Sequence, residues 1–200
     1  MNFLESRLYR ALELITNFLW LNLLWLVSCL PIFTIFPATA AMFAVVREWV
    51  KKREPGITRA FFSFFKENFK QSFWIGFLWS SLGGLWAINV VLIGRMPGPA
   101  KLPLYIFFSS VGFLYVFASI YLFPTIVSFD ATGPTILKNS LLWSVTQPLI
   151  TVQCVLVLLA SVAMLLIFPA TALILGSVVS YTIYWLCNQA FTRAASTKDT

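Results

Sequence analysis

The sequence predicts an all-α fold, a polytopic membrane protein with about five transmembrane helices and an interfacial amphipathic helix. Hydrophobic residues make up 60% of the 200 residues and charged residues 10%, whereas soluble domains carry about 25% charged residues. Charged residues are absent from four long runs, at residues 14–46, 71–94, 102–129 and 139–192. A spanning helix needs about 20 apolar residues, and the last run is long enough for two. These runs therefore predict five spans in one transmembrane domain.

The first run is too long for one simple span. Its 33 residues would form a helix of about 50 Å, against about 30 Å of hydrocarbon in a bilayer. Proline interrupts a helix interior, so Pro31 and Pro37 are predicted helix breaks. Two geometries remain open: a kinked helix that crosses once, over residues 14–37, or a turn at the prolines followed by a short helix that crosses back. The single crossing is the preferred interpretation.

A basic segment follows, at residues 47–70, with seven lysines and arginines against three glutamates. Within it, residues 57–70 place phenylalanines on one broad helical face and basic residues on the opposite face. This pattern is typical of a helix that lies in the membrane interface. Asn68 falls within the apolar face, where its amide would need a partner. The candidate contacts with lipid or a protein partner on this helix are Arg59, Lys66, Asn68 and Lys70.

The remaining runs predict four spans, at about residues 71–94, 103–127, 145–168 and 170–191. In the first of these, small residues recur every four positions and predict close packing against another helix. The small residues of this stripe are Gly76, Ser80 and Gly84.

Two further prolines are predicted helix breaks, Pro124 near the end of one span and Pro169 between the last two. Pro169 belongs to a weak internal repeat, because the hexapeptide Ile-Phe-Pro-Ala-Thr-Ala occurs at residues 35–40 and again at residues 167–172. Proline and alanine are common at helix breaks in membranes, so the repeat indicates bends rather than chemistry.

Lysine and arginine in short loops favour the cytoplasmic side, which places residues 47–70 inside. With five spans, the N-terminus is then outside and the C-terminus inside. Arg7 and Arg10 fit poorly outside the cell, and this misfit argues for the alternative with a sixth, short crossing.

The sequence offers no motif that predicts an enzyme. There is no nucleotide-binding loop, and histidine is absent, which excludes a histidine-dependent serine triad and leaves no plausible zinc motif. The three cysteines lie far apart within apolar runs, and no cofactor or metal is expected. The net charge of +7 comes without a base-reading module, so nucleic acid is not an expected partner.

The predicted spans carry neutral polar side chains instead of the ionisable groups that coupled transport usually needs. These side chains either hydrogen-bond between helices or recognise a neutral solute. Asp130 is the only acid between Glu67 and Asp199. It either caps a turn at the interface or pairs with the basic segment, since both are predicted on the cytoplasmic side. The neutral polar residues are Asn17, Asn22, Asn89, Gln147, Gln153 and Asn188.

Several stretches resemble the YesL family of bacterial integral membrane proteins, a domain of unknown function. They include Asn-Leu-Leu-Trp at residues 22–25, the run Phe-Pro-Ala-Thr-Ala-Ala-Met-Phe-Ala-Val-Val-Arg at residues 36–47, and Phe-Lys-Glu-Asn-Phe at residues 65–69. The resemblance covers nearly the whole chain, and Pro37, Asn68 and Asp130 look like matches to the family pattern. It supplies no catalytic residues.

Members of that family are often encoded near carbohydrate-uptake ABC importers and polysaccharide-degrading enzymes. The resemblance therefore implies a multi-pass protein of the bacterial plasma membrane, with an accessory or regulatory role in carbohydrate ABC import. Its partners would be the lipid bilayer and ABC importer membrane subunits. The alternative is a permease-like transporter of a neutral solute.

The topology is directly testable. Because seven basic residues fall within 24 positions, residues 47–70 should be cytoplasmic. Single cysteines placed at Lys52 and Lys66 should resist an impermeant thiol reagent in intact cells. Labelling at either position would overturn the predicted orientation.

Overall fold

The computed structural model of the chain describes residues 3–53 and 55–196. Within these residues the structure is helical and contains no strand, so the predicted all-α fold is confirmed. Five helices are long and apolar enough to cross a membrane. The helices are α1 (Phe3–Ser28), α2 (Ile35–Val50), α3 (Ile57–Arg95), α4 (Lys101–Ser128), α5 (Gly133–Thr146), α6 (Pro148–Ile167) and α7 (Ala172–Ser196), with 3-10 turns at Ile32–Thr34 and Pro169–Thr171.

The first apolar run folds as a hairpin rather than as one kinked span over residues 14–37. Helix α1 ends at Ser28, and the chain reverses through a turn in which the Thr34 hydroxyl donates to the carbonyls of Ser28 (2.6 Å) and Pro31 (2.5 Å). Helix α2 then begins at Ile35. The geometry found is therefore the second one, in which the chain turns and a short helix returns.

Two contacts establish that α1 and α2 are antiparallel. Near the turn, the Trp25 indole donates to the Thr39 hydroxyl at 3.1 Å. Farther away, the ring centroids of Phe18 and Trp49 are 5.2 Å apart. The apolar part of α1, Leu12–Ser28, is about 26 Å long, close to the thickness of the hydrocarbon layer. If both helices cross, the N-terminus lies on the side of the basic segment; the side chains of Arg7 and Arg10 are outside the described residues.

Helix α2 occupies the centre of the bundle. From Pro37 to Glu48 every side chain is buried except Thr39 and Arg47, which are half-buried. It packs against α1, α3, α4 and α7. Four of its residues are alanines, and such small side chains allow neighbouring backbones to approach closely. The apolar run thus forms a core element that other helices surround.

Helix α3 is continuous across the predicted boundary between an interfacial helix at residues 57–70 and a span at residues 71–94. Its 39 residues reach about 58 Å, roughly twice the hydrocarbon thickness. Residues 57–70 therefore extend the spanning helix at the end of the bundle where α2 ends. Their phenylalanines pack partly against the chain itself, since Phe61 is fully buried whereas Phe62 is exposed.

The prolines divide into two groups. Pro31 and Pro169 lie between helices, as the sequence predicts for helix breaks. Pro37 instead lies in the first turn of α2, where its missing N–H would have no partner in the helix anyway. Pro124 lies inside α4, which continues to Ser128. Membrane helices tolerate such a proline because neighbouring groups satisfy the freed backbone.

Helices α4, α6 and α7 lie where the sequence predicts spans 103–127, 145–168 and 170–191, with ends shifted by up to five residues. Between α4 and α6, α5 is a separate helix of 14 residues, about 21 Å long and too short to cross. A buried hydrogen bond of 3.0 Å between the hydroxyls of Tyr121 and Thr151 joins α4 to α6.

The small-residue stripe does not face one helix along its length, which corrects the sequence-based prediction. Gly76 is buried directly under the ring of Phe36 from α2. Ser80 is exposed, and Gly84 has open space beside it. A period of four residues identifies one face of a helix, but only the first member of this stripe meets α2.

This difference predicts unequal effects of two matched substitutions. Gly76→Ala should lower the thermal stability in detergent, because the added methyl group meets the Phe36 ring and overpacking costs about 1–3 kcal/mol. Gly84→Ala should be neutral or slightly stabilising, because alanine favours a helix over glycine. Equal losses of melting temperature would contradict this packing.

Candidate functional site

The two charged segments singled out from the sequence lie at the same end of the bundle. The Gln71 amide on α3 donates to the Ala131 carbonyl in the loop between α4 and α5, at 2.7 Å. Lys70 and Asp130 are the neighbours of these two residues, and both side chains are exposed. The structure therefore brings the loop that carries Asp130 beside the basic helix.

The other predicted contact residues form an open surface. Arg59 and Lys66 are exposed on α3, as is Lys70. None of the three, nor Asp130, has an ion-pair partner within the part of the chain that the structure describes. This surface, formed by Arg59, Lys66, Lys70 and Asp130, is called the charged end surface below.

Asn68 does not belong to that open surface. It is half-buried, and its amide nitrogen donates to the Phe64 carbonyl one turn earlier in α3, at 3.0 Å. The amide nitrogen thus has a partner in its own helix. Its half-buried position on the apolar face makes it a packing residue rather than a direct contact.

An ion cluster around the buried Glu48 lies at the end of α2, and the sequence analysis did not identify it. Glu48 of α2 is 7% exposed and pairs with Arg47 at 3.0 Å and with Arg53 at 3.1 Å. In the sequence these residues appear only as members of the basic segment. The feature of the sequence that could have indicated this cluster is Glu48 itself, a single acid next to Arg47 at the end of a continuous apolar helix.

Arg47 connects α2 to two other helices. Its guanidinium donates to the Val127 carbonyl of α4 and lies over the Phe64 ring of α3, with Cζ 5.5 Å from the ring centroid. A cation held over an aromatic face is attracted by the ring. Beside this carbonyl, the hydroxyls of Ser128 on α4 and Tyr184 on α7 are 3.1 Å apart. The cluster therefore fixes the ends of four helices relative to each other.

Two of the six neutral polar residues of the predicted spans, Asn22 and Asn89, donate to backbone carbonyls. The Asn22 amide donates to the Ala172 carbonyl at 2.7 Å and joins α1 to α7. The Asn89 amide donates to the Leu85 carbonyl of its own helix at 2.8 Å. Three buried oxygens lack a partner among the described residues, and they lie on three different helices: Asn22 Oδ1, Ser72 Oγ and Thr125 Oγ1.

In the described ranges no group of three or more histidine, cysteine, aspartate or glutamate side chains could hold a metal ion. The buried Glu48 is paired with Arg47 and Arg53, and the exposed Arg59, Lys66, Lys70 and Asp130 form the charged end surface.

Comparison with known families and proteins gives consistent matches. The family described as "Protein of unknown function, DUF624" matches residues 18–90. The chain is 28% identical over 182 residues to the uncharacterised protein YesL of Bacillus subtilis, covering 86% of this chain and 83% of YesL. No solved structure matches the chain.

Two further proteins of Bacillus subtilis are similar. The uncharacterised protein YteU is 35% identical over 147 residues, which cover 70% of this chain and 64% of YteU, slightly less than two thirds. The uncharacterised protein YesV is 29% identical over 154 residues, which cover 75% of this chain and 74% of YesV.

The buried cluster predicts a stability effect at Glu48. Glu48→Gln should lower the free energy of unfolding by up to about 3 kcal/mol, because it leaves Arg47 without its counter-charge and breaking a buried pair costs about 3–5 kcal/mol. Glu67→Gln is the matched control, since Glu67 is exposed on α3. Thermal unfolding in detergent measures both. A Glu48→Gln protein as stable as the Glu67→Gln protein would contradict the structural role of the cluster.

Proposed function

Because the chain belongs to the YesL-like family of membrane proteins of unknown function, we propose that it is an accessory or regulatory component associated with carbohydrate ABC import. Its proposed location is the bacterial plasma membrane, where it is a multi-pass protein. Its proposed partners are importer membrane subunits, and the proposal includes no catalytic role and no cofactor.

The proposal rests on one observation. The centre of the helical bundle is filled by α2, whereas one end of the bundle presents exposed charged residues. Helix α2 lies on the axis of the bundle with its side chains buried against four other helices. The described side chains around α2 therefore fill this part of the bundle. At one end of the bundle, four exposed charged residues form the charged end surface, where a soluble or membrane partner can reach them.

The phenylalanines of α3 add apolar area to that surface. Phe62 is exposed beside the basic residues of the same helix. Exposed charges steer encounter and fix register more than they add affinity, so an apolar contact is needed for stable association. Arg59, Lys66 and Lys70 would set the orientation of the partner.

The alternative, a permease-like transporter of a neutral solute, is favoured by one observation. Three buried polar oxygens, on Asn22, Ser72 and Thr125, have no hydrogen-bond partner among the described residues. Buried polar atoms are normally paired, so each of these could meet a solute hydroxyl. They belong to three separate helices, α1, α3 and α4.

Co-purification tests the proposal. In mild detergent, the wild-type chain should recover importer membrane subunits, identified by mass spectrometry. The triple variant Arg59→Gln, Lys66→Gln, Lys70→Gln should recover at least about fivefold less of these subunits, since each exposed charge contact contributes up to about 1 kcal/mol. The Arg59→Lys, Lys66→Arg, Lys70→Arg triple variant keeps the charge and should recover the wild-type amount.

The opposite results are equally informative. Docking through this surface would be excluded if the glutamine triple variant inserts normally and keeps its partners. It would also be excluded if the wild type recovers no importer subunits. Uptake of labelled sugar by proteoliposomes that contain the purified chain alone would favour the permease instead.

A further inference from the structure

Two of the three cysteines, which lie far apart in the sequence, are neighbours in the structure. Cys154 lies on α6 and Cys187 on α7, both are fully buried, and their side chains are in hydrogen-bonding contact. A disulfide forms only between cysteines whose side chains point toward each other at close range, and a thiol–thiol contact places them so. The third cysteine, Cys29, is half-buried in the turn after α1.

A line of hydroxyl groups leads from the junction of α5 and α6 toward this thiol pair. The Thr151 hydroxyl donates to the Gln147 carbonyl at 3.0 Å, and it accepts a hydrogen bond of 3.0 Å from the hydroxyl of Tyr121. Tyr121 in turn lies near both cysteines. Gln147 is half-buried, so the line begins close to the protein surface. These groups offer hydrogen bonds to a small polar oxidant between the surface and the thiols.

The two cysteines lie toward the open end of a helical hairpin. Helix α6 packs chiefly against α7, and its outer residues are exposed, among them Leu156 and Leu159. The turn Pro169–Thr171 connects the two helices at the opposite end of the hairpin. A covalent bond between the cysteines would therefore fasten α6 to α7 at a second place, far along the chain from the turn.

We propose that Cys154 and Cys187 form a reversible dithiol–disulfide pair that hydrogen peroxide oxidises and that locks α6 onto α7. The sulfur of one cysteine attacks a peroxide oxygen, the O–O bond breaks, and the leaving hydroxide takes the thiol proton and becomes water, which leaves a sulfenic acid. The sulfur of the other cysteine then attacks the sulfenic sulfur. The S–S bond forms, the S–O bond breaks, and the hydroxide takes the second thiol proton as another water.

The electrons and protons of this reaction balance. The two sulfurs together lose two electrons, which reduce one peroxide to two waters. A dithiol reductant such as dithiothreitol restores both thiols by thiol–disulfide exchange and becomes a disulfide itself.

Burial favours the disulfide over other oxidation products. Two thiols and one disulfide are all uncharged, so the reaction adds no charge to a fully buried site. A sulfinic acid, the next product of further oxidation, would instead place an ionised group among buried side chains. The neighbouring thiol also reaches the sulfenic sulfur without any encounter with a second molecule.

Counting free thiols in the full chain tests the proposal, with Cys29→Ala used to remove the unpaired thiol. This variant is treated with hydrogen peroxide in mild detergent and then unfolded with an alkylating reagent present. Neither remaining cysteine should be alkylated, and dithiothreitol added before unfolding should restore both. Peptide mass spectrometry should find Cys154 joined to Cys187 within one chain.

Thermal unfolding in detergent gives a second readout. Oxidised Cys29→Ala should melt about 5 °C or more above its reduced form, because a disulfide restricts the unfolded chain. The matched control is the double variant Cys29→Ala, Cys154→Ala, which keeps Cys187 alone and should melt at one temperature under both conditions. Two free thiols in peroxide-treated, folded Cys29→Ala would overturn the proposal. So would a disulfide found only between chains.

Discussion

The burial of α2 is the constraint on which the rest of the bundle depends. A helix whose side chains are buried from residue 40 to residue 46 must be contacted on every side, and α1, α3, α4 and α7 provide those contacts. Its alanines let these neighbours approach closely. At its end, Arg47 and Glu48 bring charge into the bundle, and the pairing of these two groups with each other and with Arg53 makes that placement tolerable.

The sequence predicts the spans that face lipid better than the helix that does not. The apolar runs around α4, α6 and α7 are separated by charged or proline-containing breaks, so composition alone locates them. The turn before α2 lies inside an uninterrupted apolar run, so composition does not indicate where one helix ends and the next begins. The repeated hexapeptide illustrates the limit: at residues 35–40 it forms the first turns of α2, and at residues 167–172 it holds a helix end and a 3-10 turn. Identical local residues fold differently because their surroundings differ.

The sequence predicts which residues could contact lipid or a partner, but not which other helices their faces meet. Helical periodicity places Arg59, Lys66 and Lys70 on one face, and the structure leaves that face exposed. Periodicity cannot say which other helix a face meets, so the partners of Gly76 and Gly84 had to come from the three-dimensional structure. The same holds for Glu48, whose burial depends on Arg47 and on an arginine beyond the end of the helix.

Two sets of charges near the charged end of the bundle have different physical roles. Arg47 and Glu48 are satisfied inside the protein, and removing either one leaves a neighbour unpaired where water is scarce. Arg59, Lys66 and Lys70 are exposed, and substitutions of such surface charges usually change stability by less than about 0.5 kcal/mol. Phe64 and Asn68 lie between the sets, since Phe64 contacts Arg47 and accepts the Asn68 hydrogen bond. Substitutions in the exposed set should therefore disturb the fold less than substitutions in the inner set, because Arg47 and Glu48 contact other parts of the chain.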